Sequence, residues 1–579
     1  MTKSVGRDLT QVPFISSLRS RGRYPLWMAA ALFLVAVIVT PYIPLVVSLF
    51  SGGGESWDHV RTTVLGRYTV NTIFLVGGAT LGASVIGVGG AWILERYRLP
   101  IPRVLELAFV APLALPVYIG TFTWNGIFAF RGPIDRALGV NVPFGGIWAA
   151  IFILVIGLYP YVYLTTRAAL MANSRVLFEV VASLSGGVPR SRSIPGPGVP
   201  ESGVTKEGDG AGATMPSGRA RAGSRRHYWR RLWSGVIPSL RPAIVGGASL
   251  VAMETMNAYA TPVFLGVETL STGVFRTWFG LGDLPTATLL AAIVLMAMLT
   301  LIAAEQYGRG RRRYTTAGGA PPRRVPLPRW GTALLVGVLL LPALLGFFIP
   351  MAQLTWWTVL AGGDGITGIG ATTARTISLA LATTLVILAV AVLLNLVAYL
   401  RPGWMMNGVL RIAGIGYAVP GTVVAIGVLA VFQQLRLIDD RLFLFGTVGG
   451  LIFAYVARYL AVAVQPIQSG FVRQHRSTVD AARSLGSGPA RVLTRVVLPV
   501  FRPTLAGAAL LVAIDVIKDL PMTLLLRPFD FNTLAVQVYR LASDERMPEA
   551  SPRALLLVAV GILTMWVIMS PAKRTAEDS

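Results

Sequence analysis

The chain contains no cysteine among its 579 residues. That absence excludes a disulfide framework and any thiolate metal site. Histidine is almost as scarce. His59, His227 and His475 lie far apart and outside the apolar runs, so no preformed, stably bound metal is expected. The lysines are Lys3, Lys206, Lys518 and Lys573, and none completes a Walker phosphate loop. No nucleophile elbow and no zinc-protease signature occurs either. We expect no catalytic residue and no cofactor in this chain, so any energy source belongs to a partner.

Charge is also sparse. Only 13% of residues are charged, against 54% hydrophobic and a mean hydropathy of +0.65. Those values exclude an ordinary soluble protein and indicate an all-α, polytopic membrane protein. Net charge is +25. A nucleic-acid binder shares that balance, but here the basic residues flank apolar runs, as the positive-inside rule requires. No nucleic-acid partner is expected; membrane lipid is.

Apolar runs occur near 27–50, 69–94, 104–129, 146–168, 236–258 and 286–304. They recur near 330–352, 376–400, 407–432, 443–466, 499–526 and 553–571. This predicts about 12 transmembrane helices in two sets of six. The domain reading is a tail (1–26), a first half (27–304), a basic linker (305–329), a second half (330–571) and a second tail (572–579). Basic loops alternate with acidic ones, which puts both termini in the cytoplasm. Residues 186–226 are rich in Gly, Ser, Pro and Arg, cannot bury a core, and are expected to be disordered.

The halves are related. IPSLRPAIVGGASLVAME (237–254) aligns without a gap to LPVFRPTLAGAALLVAID (498–515). Upstream of the second copy, Asp480, Ala481 and Ala482 are followed by Gly486, then Val496, Leu498 and Pro499. The corresponding first-half stretch is Glu179 to Ser185, with Gly186 available as a shifted turn. A short polar segment leading into an apolar run fits a helix lying on a membrane surface. Small alanines allow close approach of another protein, and a glycine permits a turn of positive φ.

This spacing resembles the "EAA" loop of permease subunits of bacterial ABC importers. In that family the loop is the cytoplasmic segment that docks on the ATPase. The resemblance implies two homologous six-helix halves and two copies of an ABC ATPase, with ATP and Mg on that partner. It also implies a soluble or lipid-anchored substrate-binding protein and a place in the bacterial inner membrane. RTWFGLGDL (276–284) and the stretch 515–546 look like those of fused iron(III) importer permeases. Thiamine, phosphonate and polyamine importers are alternatives, and a twelve-helix secondary transporter fits the helix count.

Ionisable residues inside spans cost about 2.5–3.5 kcal/mol each. Two clusters occupy equivalent places: Glu254, Asn257 and Tyr259, and Asp515, Lys518 and Asp519. We read them as a candidate translocation pathway, with Lys518 able to pair with Asp515 or Asp519. Pro116 and Pro420 also match between halves and are expected to kink helices beside that pathway.

Overall fold

The computed structural model describes residues 24–130, 132–139, 142–184, 240–309, 324–400, 403–414, 416–439, 444–473 and 498–569. The insertion, both tails, most of the linker, and Ser185, Gly186, Asp480, Ala481, Ala482 and Gly486 lie outside them. Among the described residues nearly every element is a helix, as apolar surroundings demand of a chain that must satisfy its own backbone. Eight helices among the described residues are long and apolar enough to cross a membrane, or ten if two bent pairs each count as one span.

The order of elements repeats. The first half begins with Tyr24–Val39 and Tyr42–Ser51, bent by 49°, and continues with Leu65–Arg96. Pro102–Val110, Val117–Phe128 and Gly146–Leu184 follow. After the insertion come a helix over 240–257, two short helices (Ala260–Phe264 and Leu270–Leu281) and Leu284–Arg309. The second half runs Arg329–Ala343 with Ile349–Ala361, then Ile369–Leu400, Trp404–Ala413, Gly421–Ile438 and Val448–Arg473. It ends with Leu498–Lys518, Pro521–Leu526, Leu534–Ser543 and Met547–Met569.

Fine detail repeats too. Leu65–Arg96 and Ile369–Leu400 each have 32 residues. Thr72 and Thr376 occupy the same position in them. Thr72 Oγ1 accepts the Leu270 N–H at 3.0 Å, and Thr376 Oγ1 accepts the Leu534 N–H at 2.9 Å. Each therefore satisfies an otherwise orphaned donor at a helix start.

Small residues let the spans approach. Ala79, Ala83, Gly87 and Ala91 form a buried stripe on Leu65–Arg96, facing Gly146–Leu184. The halves interlock reciprocally. Tyr24–Val39 packs on Ile369–Leu400 and Val448–Arg473, while Arg329–Ala343 packs on Pro102–Val110 and Leu65–Arg96. A Cβ at Gly427 would overlap the Pro41 carbonyl, and one at Gly561 the Ala114 carbonyl. At those two points backbone of one half lies directly against backbone of the other.

Besides the bend in the first span, three expected spans are interrupted. Between Pro102–Ala114 and Val117–Leu138 the axis turns by 90°. Pro116 and Pro420, expected from sequence to kink helices beside the pathway, do not. Each stands in extended backbone (ψ 131° and 141°) as the N-cap of a new helix after a 3-10 turn. A proline lacks the N–H that a continuing helix needs, and its first-turn position makes that loss harmless. The run 499–526 breaks after Lys518, for a reason given below. The linker is not a plain tether, because its end is pinned. Val325 exchanges backbone hydrogen bonds with Arg96 and Arg98 at 2.9 and 3.0 Å. Arg324 approaches Glu95 at 3.7 Å, and Arg167 binds both Glu95 (2.8 Å) and Glu106.

Candidate functional site

The breaks in the spans create the site. The helix over 240–257 ends before Ala258 and Tyr259, and Leu498–Lys518 ends before Asp519 and Leu520. The two interruptions meet at one cavity of about 190 Å³ between the halves. All six candidate pathway residues line it: Glu254, Asn257, Tyr259, Asp515, Lys518 and Asp519. Two stretches far apart in the chain thus meet at one cavity. The expected span 499–526 is corrected at Asp519, which stands in a break, as does Tyr259 just after the expected span 236–258.

Asp519 explains its own break. Its Oδ1 accepts the N–H groups of Met522 (3.1 Å) and Thr523 (3.3 Å), so the carboxylate starts the Pro521–Leu526 helix. Pro521 brings no N–H to the preceding helix, so that helix stops. The Oδ2 of Asp519 accepts from Arg458 Nη1 at 3.1 Å and from the Tyr459 hydroxyl at 2.8 Å. Its partner is Arg458, not Lys518. Lys518 pairs with Asp515 at 3.7 Å. The Arg458 and Asp519 side chains are only 6% and 2% exposed. Such a pair persists because removing either member leaves a bare buried charge.

Across the cavity, Asn257 Oδ1 accepts the Gly421 N–H at 3.0 Å and so satisfies the helix start beside Pro420. Sequence reasoning missed Arg458 and the cavity-lining tyrosines Tyr118, Tyr161, Tyr417 and Tyr459. Arg458 had a signal, since it is an arginine inside the apolar run 443–466. The tyrosines had none, because a tyrosine in a span is ordinary packing material. The hydroxyl of Tyr118 is buried without a hydrogen-bond partner in the structure. The lining offers three carboxylates against two cations, with phenol hydroxyls between them. Among the described residues no three His, Cys, Asp or Glu side chains gather as a metal-holding group.

Of the proposed coupling residues, Glu179 lies within the Gly146–Leu184 helix and Pro499 is exposed in the first turn of Leu498–Lys518. The rest fall outside the described residues.

Residues 396–574 match the family described as binding-protein-dependent transport system inner membrane component. The second half carries a permease domain of that family. An Fe(3+)-transport system permease protein of Haemophilus influenzae is 24% identical over 93% of this chain and 96% of its own length. A probable ABC transporter permease protein of Sinorhizobium fredii is 22% identical over 88% of both chains. A sulfate transport system permease protein of Escherichia coli is 25% identical over 47% of this chain and 86% of its own. The first two relatives span both halves and the third is about half as long, as expected where a permease domain occurs twice in one chain. The molecule is a multi-pass protein of the inner membrane.

Proposed function

We propose that this chain is the membrane-spanning subunit of an ATP-driven, binding-protein-dependent importer of ferric iron. The observation that carries the substrate is the similarity, over nearly all of both chains, to an Fe(3+)-transport permease. The cavity chemistry supports it. Ferric ion prefers hard oxygen donors, and the cavity supplies carboxylates and phenols. Sulfate, the cargo named for a shorter relative, would meet a lining with one more negative charge than positive. Its two cations are already paired with carboxylates. Glu254 and Asp515 are equivalent residues of the two halves and would face the passing cation from either side.

In this reading two ATPase copies dock on the loops around Glu179 to Gly186 and Asp480 to Gly486. Both termini and both loops are cytoplasmic, and a substrate-binding protein delivers cargo to the opposite face. The chain hydrolyses nothing itself. The test is ATPase activity of the complex reconstituted with its ATPase and binding protein. Iron-loaded binding protein should stimulate hydrolysis, whereas thiamine and sulfate should not. Stimulation by thiamine would reassign the substrate. Glu254→Gln and Asp515→Asn should each slow iron transport; normal transport in both would remove the carboxylate pathway. Orientation is checked by a single cysteine at Ser202, which an impermeant thiol reagent should not reach from outside intact cells.

A further inference from the structure

A second cavity, of about 410 Å³, lies beside the first. Its walls include Tyr68, Glu268, Thr272, Phe275 and Arg276, all from the first half. One residue lines both cavities, and it is Tyr259. Its ring stacks on Phe275 with centroids 3.6 Å apart. It also lies 6.2 Å from the ring of Tyr539, which belongs to the second half. Tyr539 in turn meets Phe264 edge-on at 5.5 Å, and Phe264 lies 6.5 Å from Phe122. Tyr259 therefore stands between the cavities, in a chain of aromatic rings that crosses from one half to the other.

The residues flanking the break at Tyr259 are tied, Asn257 to the Gly421 N–H (3.0 Å) and Thr261 to Thr121 (2.8 Å), but Ala258 within it has no side-chain tie. Tyr259 occupies the break between 240–257 and Ala260–Phe264. The equivalent residue of the second half is Leu520, with similar backbone angles (φ −111°, ψ −50°, against −97° and −55°). The residue before Leu520 is Asp519, which ties its break to Arg458, Tyr459, Met522 and Thr523. The residue before Tyr259 is Ala258, which has no side chain capable of such ties. The Ala258 N–H to Thr255 carbonyl bond, at 3.2 Å, holds it from within its own turn.

We infer that Tyr259 is the gate between an outer vestibule and the cavity between the halves, and that the first-half break is the one that opens. Rotation about Ala258 and Tyr259 would lift the ring off Phe275 and Tyr539 and join the two cavities. The second-half break, held by its buried carboxylate, stays fixed as the wall against which the gate shuts. The inference rests on the permease reading for the direction in which the vestibule faces.

The cysteine-free chain allows a direct test in spheroplasts with an impermeant thiol reagent. Ala258→Cys, which lines the inner cavity, reports the gate. Phe529→Cys, at a position 99% exposed, reports which face is outside. A closed gate that opens in a minor population of about 0.1–10% predicts labelling of Ala258→Cys roughly tenfold or more faster when Tyr259→Ala is added. Tyr259→Phe keeps the ring and should leave the rate low, which also shows that the added alanine acts through the missing ring. Leu520→Ala, at the equivalent place, should change the rate less than about twofold, because a fixed wall loses no closed population. Equal labelling rates with and without Tyr259→Ala overturn the gate. Equal acceleration by Leu520→Ala overturns the assignment of movement to the first half. Phe529→Cys unlabelled from outside overturns the orientation, and with it the vestibule, while leaving the iron-stimulated ATPase result to judge the permease reading separately.

Discussion

The two halves break their equivalent helices at the same place and fill the break with opposite chemistry. In the second half the break holds Asp519, paired with Arg458 and capping the next helix. In the first half the corresponding residues are Ala258 in the break and Gly157 at the position of Arg458, and both also line the cavity. Two matching loops show the same divergence. Asp283 accepts the N–H of Ser56 (2.9 Å) and so holds the loop after the first span. The matching loop of the second half is held by Arg553, which donates to the carbonyls of Gly365 (2.9 Å) and Thr367 (2.7 Å). A fused duplication keeps backbone geometry where both copies need it. It frees each copy to choose its own side chains, because the two are no longer one gene product used twice.

The sharpest way to break this comparison is to remove the charge pair from the half that has it. Arg458→Ala leaves Asp519 buried and unpaired, and should cost about 3–5 kcal/mol. The double variant Arg458→Met with Asp519→Leu removes both charges and should recover most of that loss. Gly157→Ala, at the equivalent first-half position, brings a Cβ to 3.2 Å from Val117 Cγ2. A small shift of one side chain accommodates it, at a cost of about 1 kcal/mol or less. Thermal unfolding of the purified protein in detergent ranks the three. A Gly157→Ala loss as large as that of Arg458→Ala would mean that the halves depend equally on this position.

The coupling loops extend the comparison to function. The second keeps Ala481, Ala482 and Gly486, whereas the first has Val180, Val181 and Ser185. β-Branched side chains restrict close approach. Gly486→Trp should nearly abolish substrate-stimulated ATP hydrolysis while the protein still inserts. Ser185→Trp should do less damage, with complex assembly checked by co-purification. Equal loss in both variants would remove the asymmetry.

The repeat, the helical class and the equivalence of two polar clusters were legible in the sequence. They rest on patterns local to the chain: apolar runs, an ungapped match between the halves, and charges where charges are costly. What was not legible depended on pairs distant in sequence. The sequence leaves Lys518 free to pair with Asp515 or Asp519; it pairs with Asp515, and the partner of Asp519 lies on another helix at Arg458. Pro116 and Pro420 read as kinks because a one-dimensional run does not show that the chain has already left the helix. Tyr259 read as one polar residue among three. Only the packing of Phe275 and Tyr539 around it makes it a partition.

One feature should respond alike in the two halves. Thr72→Val and Thr376→Val each strand a backbone N–H, of Leu270 and Leu534 respectively, with an apolar neighbour. Each should cost about 1–3 kcal/mol, the penalty of an unsatisfied buried donor. Near-equal shifts in unfolding temperature, with additivity in the double variant, would show that the duplicated backbone contact contributes equally in both copies. A large cost in one alone would show that the halves have diverged in stability as well as in charge.

The smallest expected effect separates the Asp283 loop from the Arg553 loop by pH. Asp283 is partly buried, and burial alone would raise its pKa. The hydrogen bonds it accepts from the Thr286 and Ser56 backbones and from the Thr286 hydroxyl outweigh that and hold it below the ordinary carboxylate value. A carboxyl depressed in the folded state contributes stability above its unfolded pKa of about 3.9, and that contribution is lost as pH falls through the folded value. The loop tying Gly54 and Ser56 to Thr286 and Asp283 should therefore loosen below about pH 4. Arg553 keeps its charge there, so the 365–367 loop should not. Asp283→Asn removes the charge and keeps only one acceptor oxygen, so one of the Ser56 and Thr286 N–H groups loses its partner, at a cost of about 1 kcal/mol at neutral pH. It should also flatten the acid response. Amide exchange of Ser56 and Thr286, compared with residues 365–367 across this range, reads the difference directly. Parallel loss of protection in both loops would mean that acid acts on the whole molecule rather than on the carboxylate that only one half uses.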